Sequence, residues 1–135
     1  MSYMLDTNTV GFLIRGHPAV LKRVTQTPPD SLSISAVTKG EIMFGLYRRP
    51  TARALHTAIA EFLRRVEVHP WDSDIADCYG AVRAELERLG KTLGPLDMLI
   101  GAHALFLRAV LVTNDHGFRS VPSLNLEDWT KDRKT

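Results

Sequence analysis

Cysteine is nearly absent: Cys78 stands alone in a chain of 135 residues. That excludes an intramolecular disulfide framework and suits a reducing compartment. Long hydrophobic runs are missing as well. The apolar N-terminal stretch is broken by Asp6 and has no basic leader, and the run from Met98 to Leu107 is about half of the roughly 20 residues that a membrane span needs. A soluble cytoplasmic protein without membrane contact is expected. No internal repeat or low-complexity segment occurs, and Pro28-Pro29 reads as a loop, not a domain linker. The histidines His17, His56, His69, His103 and His116 lack a paired zinc spacing and read as surface or packed residues. Charge of one sign is not in excess. Seventeen Lys and Arg against fifteen Asp and Glu leave +2, too little to demonstrate a polyanion partner.

What is present is an ordinary globular mixture, 44% hydrophobic and 24% charged. At this length a single domain, residues 1–135, buries roughly two-thirds of its extended surface and holds a core without a disulfide or structural metal. Short apolar runs at Tyr3-Met4-Leu5, Leu32-Ser33-Ile34, Val66 to Val68 and Val110-Leu111-Val112, and a weaker one near Leu124-Asn125-Leu126, predict about five strands. Helical patterns lie between them. Asp72 opens a face of Ile75, Cys78, Tyr79, Val82, Leu86 and Leu89 that stops at Gly90. Thr51 is positioned to cap a helix bearing Leu55, Ala58, Ile59, Phe62 and Leu63. Further helices are expected from Asn8 to Arg15, after Ser35, and from Gly94-Pro95, where proline suits the first turn. Alternating strands and helices predict a mostly parallel sheet covered on both sides, a three-layer α/β/α sandwich. Cys78, Trp71 and Trp129 read as packing residues.

In an open parallel sheet ligands bind outside the carboxyl ends of the strands, so polar residues that follow apolar runs carry the information. Asp6 ends the first run, and Asp115 follows Val110-Leu111-Val112-Thr113-Asn114. Glu41 falls among Gly40, Ile42, Met43, Phe44 and Gly45, and Asp97 sits in the first turn after Gly94-Pro95. Each has a plain structural explanation: Asp6 and Asp97 as caps or first-turn acids, Asp115 as a turn former. Glu41 fits such an explanation least, because a carboxylate on an apolar stretch wants a compensating partner. The other eleven acids, Asp132 in the tail among them, have easy explanations as helix faces, caps and loops. The four singled out come from separate segments that can converge at one sheet edge, where they would repel unless a cation neutralised them. Carboxylates without thiols suit Mg²⁺ or Mn²⁺, ions that promote phosphodiester hydrolysis.

Asp6-Thr7-Asn8 after the first strand, Glu41 in the helix after the second, Gly94-Pro95-Leu96-Asp97 opening a late helix, and Thr113-Asn114-Asp115 with Phe118 together resemble the PIN-domain nucleases. The short length resembles the VapC toxins of bacterial toxin–antitoxin pairs. The resemblance runs from about Tyr3 to Trp129. It implies a PIN-like fold and assigns Asp6, Glu41, Asp97 and Asp115 as catalytic metal-binding acids, with Asn8, Thr113 and Asn114 supporting the site or a water. It also implies a metal-dependent endoribonuclease acting on transfer RNA or another structured RNA, neutralised by a small DNA-binding antitoxin. A homodimer is expected.

Two other readings compete. An aspartyl-nucleophile phosphatase also places an Asp after its first strand, but it wants a second acid two residues on, where Asn8 stands. A non-catalytic α/β module binding RNA or protein has no use for all four acids. Basic groups at Arg48, Arg49 and Arg53, at Arg64 and Arg65, and at Lys131, Arg133 and Lys134 offer phosphate contacts, or simply solvated surface; the first group is the RNA-binding candidate. Val10, Phe12, Leu13 and Ile14, with Leu55, Ile59 and Phe62, exceed what one small core needs and predict an apolar groove for a partner helix.

Overall fold

The computed structural model describes residues 1–131; Asp132 and the basic-tail candidates Arg133 and Lys134 lie outside the described residues. Five strands, β1 (Tyr3–Leu5), β2 (Leu32–Ser35), β3 (Glu67–His69), β4 (Val110–Val112) and β5 (Leu126–Glu127), form one sheet in the order β3-β2-β1-β4-β5. Every pairing is parallel. Six helices connect them: α1 (Thr7–Ile14), α2 (Pro18–Gln26), α3 (Ala36–Tyr47), α4 (Arg53–Arg65), α5 (Ser73–Arg88) and α6 (Pro95–Leu107).

Alternation along the strands builds the three layers. Leu5, Ile34 and Val112 pack with Val10 of α1, Val20 of α2 and Trp129 on one face. Met4 and Leu111 face the other way, against Ile100 and Ala104 of α6 and Phe118. Val82 and Leu86 of α5 pack against Ala102 of α6 in an outer cluster. Trp129 closes the first face: its ring lies 5.2 Å from that of Tyr3, the Arg23 guanidinium sits 4.9 Å over it, and its indole N–H donates to Glu127 at 2.9 Å.

Local signals explain most boundaries. Asp72 caps α5 through Oδ1, which accepts from the amides of Asp74 and Ile75, and Gly90, with φ +69°, takes the left-handed conformation that ends it. Ser35 caps α3. Three expectations need correction. Thr51 does not cap α4; Ala52 holds that position without a side-chain bond, because backbone bonds from Arg49 to Leu46 and from Ala52 to Arg49 close the turn. β3 runs one residue later than Val66 to Val68, since Val66 ends α4 and packs into the core beneath it. β5 likewise begins at Leu126, with Leu124 in a turn onto Val121. Helix α2 was without a sequence expectation; His17 accepts the Val20 amide and Pro18 opens the first turn.

His103 of α6 is wholly buried. Its Nδ1 lies 2.8 Å from the Ser35 hydroxyl, and Nε2 has no partner among the described residues. Burial lowers its pKa to about 4, with His69 pushing the same way and Asp72 opposing. Between that value and 6.5, the unfolded chain binds a proton that the folded chain refuses, so stability is lost as pH falls through this window. We expect His103→Leu to flatten the loss, by a few kcal/mol between pH 7 and pH 4. Urea titrations of both proteins across that range check this; equal losses would contradict it.

Candidate functional site

The strand order places one position apart from the rest. From β1 the chain moves outward through β2 to β3, then returns to lay β4 against the other side of β1. Adjacent strands whose connections run in opposite directions leave a crevice at their carboxyl ends, where ligands bind in such sheets. Asp6 follows β1, and Asp115 lies just beyond β4.

Asp6 is 3% exposed. Its amide donates to Val112 of β4 at 3.0 Å, and its Oδ1 accepts the Thr9 amide at 2.8 Å, capping α1. Burial pushes its carboxyl above the usual carboxylate range and the charge of Asp115 adds to that, while hydrogen bonds from Thr113 and Thr9 hold it back. Asp115 opens a short 3-10 helix, with Oδ1 accepting from Gly117 at 2.8 Å. The Asp115 amide donates to the Thr113 hydroxyl at 3.0 Å. The structural explanations for these acids are therefore correct as far as they go, yet each cap engages one carboxylate oxygen.

Glu41 is half-buried on α3 and has the partner it wanted: the Thr7 hydroxyl donates to Oε1 at 2.7 Å. Asp97, in the first turn of α6, has no hydrogen-bonding partner among the described residues. Its carboxyl is raised by burial first, then by the charges of Asp115, Asp6 and Glu41. The four acids from four elements thus share one electrostatic field. None of them pairs with a Lys or Arg among the described residues. No three His, Cys, Asp or Glu side chains among these residues stand close enough together to hold an ion as they are. Mutual repulsion is the force that keeps uncompensated carboxylates apart. The donor set itself, oxygen only and short of positive charge, suits a hard divalent cation.

Of the supporting residues, Thr113 is buried against Asp6, Asn114 is half-buried beside Asp115, and Asn8 is exposed on α1. Asn8 lines a cleft of about 380 Å³ that runs from Thr7 and Glu41 past Val10, Ile14 and Leu46 to Arg48, Arg49, Leu55 and Ile59. Arg53 is exposed at the start of α4. Thr7 and Thr9 were missed as site residues; the signal was the hydroxyls alternating with Asp6 and Asn8 in Asp-Thr-Asn-Thr.

A model of the PIN domain matches residues 3–124. Ribonuclease VapC1 of Haemophilus influenzae (strain R2866) is 35% identical, over 97% of this chain and all of that protein. The chain belongs to the PIN-domain family, in its VapC branch. The tRNA(fMet)-specific endonuclease VapC of Shigella flexneri is 33% identical over 96% of this chain and 99% of its own length. DNA-bound VapBC from Salmonella typhimurium superposes with a TM-score of 0.88 at 33% identity, covering 96% of this chain and 98% of that one. VapBC2 from Rickettsia felis, bound to a fragment of its promoter, gives 0.86 at 31%, covering 96% and 99%. The PIN-like fold with its parallel five-stranded sheet is thereby as expected.

A carboxyl raised in the folded state binds protons that the unfolded chain has released, so stability falls as pH rises from the ordinary value of 3.8 through the raised one. At neutral pH the charge on Asp97 opposes folding. Without divalent ions, Asp97→Asn is expected to melt a few degrees above the parent at pH 7, with the gap closing as pH falls below 3.8. Mg²⁺ should stabilise the parent more than the variant, because a ligand of the folded state acts by mass action. A residue that served only the α6 dipole gives the reverse, a lower melting point and equal response to Mg²⁺. Thermal melts in chelator and in Mg²⁺ separate the two.

Proposed function

We propose that this PIN-domain chain is a Mg²⁺- or Mn²⁺-dependent endoribonuclease, the toxin of a toxin–antitoxin pair, working in the cytoplasm on transfer RNA or another structured RNA. The observation that carries this reading is the field shared by Asp6, Glu41, Asp97 and Asp115 at the crevice between β1 and β4, with no salt bridge to any of them among the described residues. Support for the substrate comes from the relatives, named ribonucleases and tRNA(fMet)-specific endonucleases.

When bound, the divalent ion supplies a water of lowered pKa and a Lewis acid toward the phosphate. Asp6, Glu41, Asp97 and Asp115 would hold it. Thr7 fixes the Glu41 carboxylate. Hydrogen bonds from Thr113 and Thr9 oppose the rise that burial causes in the Asp6 carboxyl. Asp97, raised by burial first and then by the charges of Asp115, Asp6 and Glu41, would be suited to accept a proton at the site. Asn8, exposed on α1, and Asn114, beside Asp115, would orient the water or the RNA. The β1–β4 crevice also argues against the phosphatase reading, since Asn8 is exposed on α1 and offers no acid.

The cleft along α1, α3 and α4 suits a helix of the small antitoxin. Val10 and Ile59 are committed to the core, while Ile14 and Leu55 remain half-exposed along it. The solved relatives include a toxin–antitoxin complex. Among the described residues no helix is long and apolar enough to cross a membrane.

Purified protein is expected to cut RNA only with Mg²⁺ or Mn²⁺. Asp6→Asn keeps a cap-competent side chain and should cost at least on the order of a hundredfold in rate, because lost metal ligation removes several kcal/mol of transition-state stabilisation. Full cleavage in excess chelator would sink the mechanism, and absent cleavage under every divalent ion would favour a binding module.

A further inference from the structure

Helix α3 carries Glu41, and its C-terminal half turns large aromatic side chains into solvent. Phe44 is 63% and Tyr47 72% exposed. At α-helical spacing Arg48 lies nearly in line with Glu41, Phe44 beside Arg48, and Tyr47 beside Phe44. The stripe therefore begins at one of the four acids and leads away from it. The Arg48 guanidinium lies 4.6 Å over the Phe44 ring. Arg48, Arg49 and Arg53 have no carboxylate partner among the described residues, and Arg48 and Arg49 line the same cleft as Thr7, Asn8 and Glu41.

Two exposed aromatic rings beside the uncompensated cations of Arg48 and Arg49 make a surface with a particular complement. Phe44 and Tyr47 themselves lie outside the lining of the cleft assigned above to the antitoxin helix. A single strand of RNA supplies both halves, phosphates for the arginines and flat bases for the rings. Phe44 and Tyr47 stand about 4.5 and 9 Å along the helix axis from Glu41, distances on the scale of one and two nucleotide steps. Bases in a duplex are already stacked on each other, so only an unpaired loop or end can use the rings.

We propose that Phe44 and Tyr47, backed by Arg48, form a stacking platform for unpaired bases flanking the phosphate held at the four acids. The substrate class is thus single-stranded or loop RNA, bound with little preference for base identity, its backbone followed by Arg48 and Arg49. This rests on the ribonuclease reading above.

The test uses fluorescently labelled RNA, one hairpin with an unpaired loop and one blunt duplex, against the full chain in an Asp6→Asn background. Phe44→Ala and Tyr47→Ala should each raise Kd for the hairpin by about fivefold or more, leave the salt dependence unchanged and leave duplex affinity alone. Phe44→Trp should restore binding. Replacing Arg48 and Arg49 together by Gln should instead flatten the salt slope, by roughly 0.7 per lost phosphate contact. In the chain with Asp6 intact, Phe44→Ala should raise KM more than it lowers kcat. Unchanged hairpin affinity in the Phe44→Ala/Tyr47→Ala double variant overturns the platform. So does unchanged RNA binding accompanied by loss of a protein complex or of self-association in size-exclusion runs, which assigns the surface to protein. Cleavage that persists while the aromatic variants do nothing leaves the nuclease reading intact; a chain that neither binds nor cuts RNA removes both.

Discussion

Repulsion among carboxylates is the constraint around which this chain is arranged. Asp6 is almost wholly buried, and Asp97 senses Asp115, Asp6 and Glu41 at once. Such a group lowers stability unless something else holds its members in place. Here that role falls to rigid, separately stabilised supports. Asp6 is tied to β4 by its own amide and to α1 by its cap, Glu41 is gripped by Thr7 across the α1–α3 contact, and Asp115 is folded back on Gly117. Asp97 is the exception, a half-buried acid without a hydrogen-bonding partner among the described residues, and it rides on the helix that contributes Ile100 and Ala104 to the second core face. Stability is concentrated in the two faces of the sheet, and its opposite is concentrated at one edge.

Topology explains why these acids meet although they are far apart in sequence. In a parallel sheet every strand ends on the same side, so residues just past β1 and β4 become neighbours once those strands pair. The return from β3 to the far side of β1 opens the crevice there. Helices α3 and α6 start from the same rim, which brings Glu41 and Asp97 to it. The hydrogen bond between Ser35 and His103 joins the start of α3 to the middle of α6. Among the described residues it is the one side-chain hydrogen bond made by an α6 side chain, and it leaves Nε2 unsatisfied.

Much of this was legible in the residue order. Tyr3 to Leu5, Leu32 to Ile34 and Val110 to Val112 are short β-rich runs bounded by polar residues, and each is a strand. Asp72 and Gly90 bracket α5 because capping chemistry is local. What failed depended on contacts made elsewhere. The pairing of β3 and β5 is set by neighbouring strands, so Val66 and Leu124 were taken into strands though they serve the core. Helix α2 has a proline start and few apolar residues, and its order comes from Val20 and Val24 meeting the core. Asp6 and Asp115 are visible because they follow strands, Asp97 because it opens a helix, and Glu41 because it stands among apolar neighbours. Thr7 and Thr9 were not, since their alternation with Asp6 and Asn8 gains a meaning only once the fold sets α1 beside α3 and β4.

Asp6 occupies a position with two demands, and they differ in what they forgive. As a helix cap it is replaceable by Asn, which serves such positions equally well; as a carboxylate facing three others it is not. A single transition in an aspartate codon makes that exchange. The easiest heritable loss of the carboxylate at this position therefore leaves a folded protein with the same sheet and the same cleft. Copies changed in this way would keep every surface of the parent and lack a single charge.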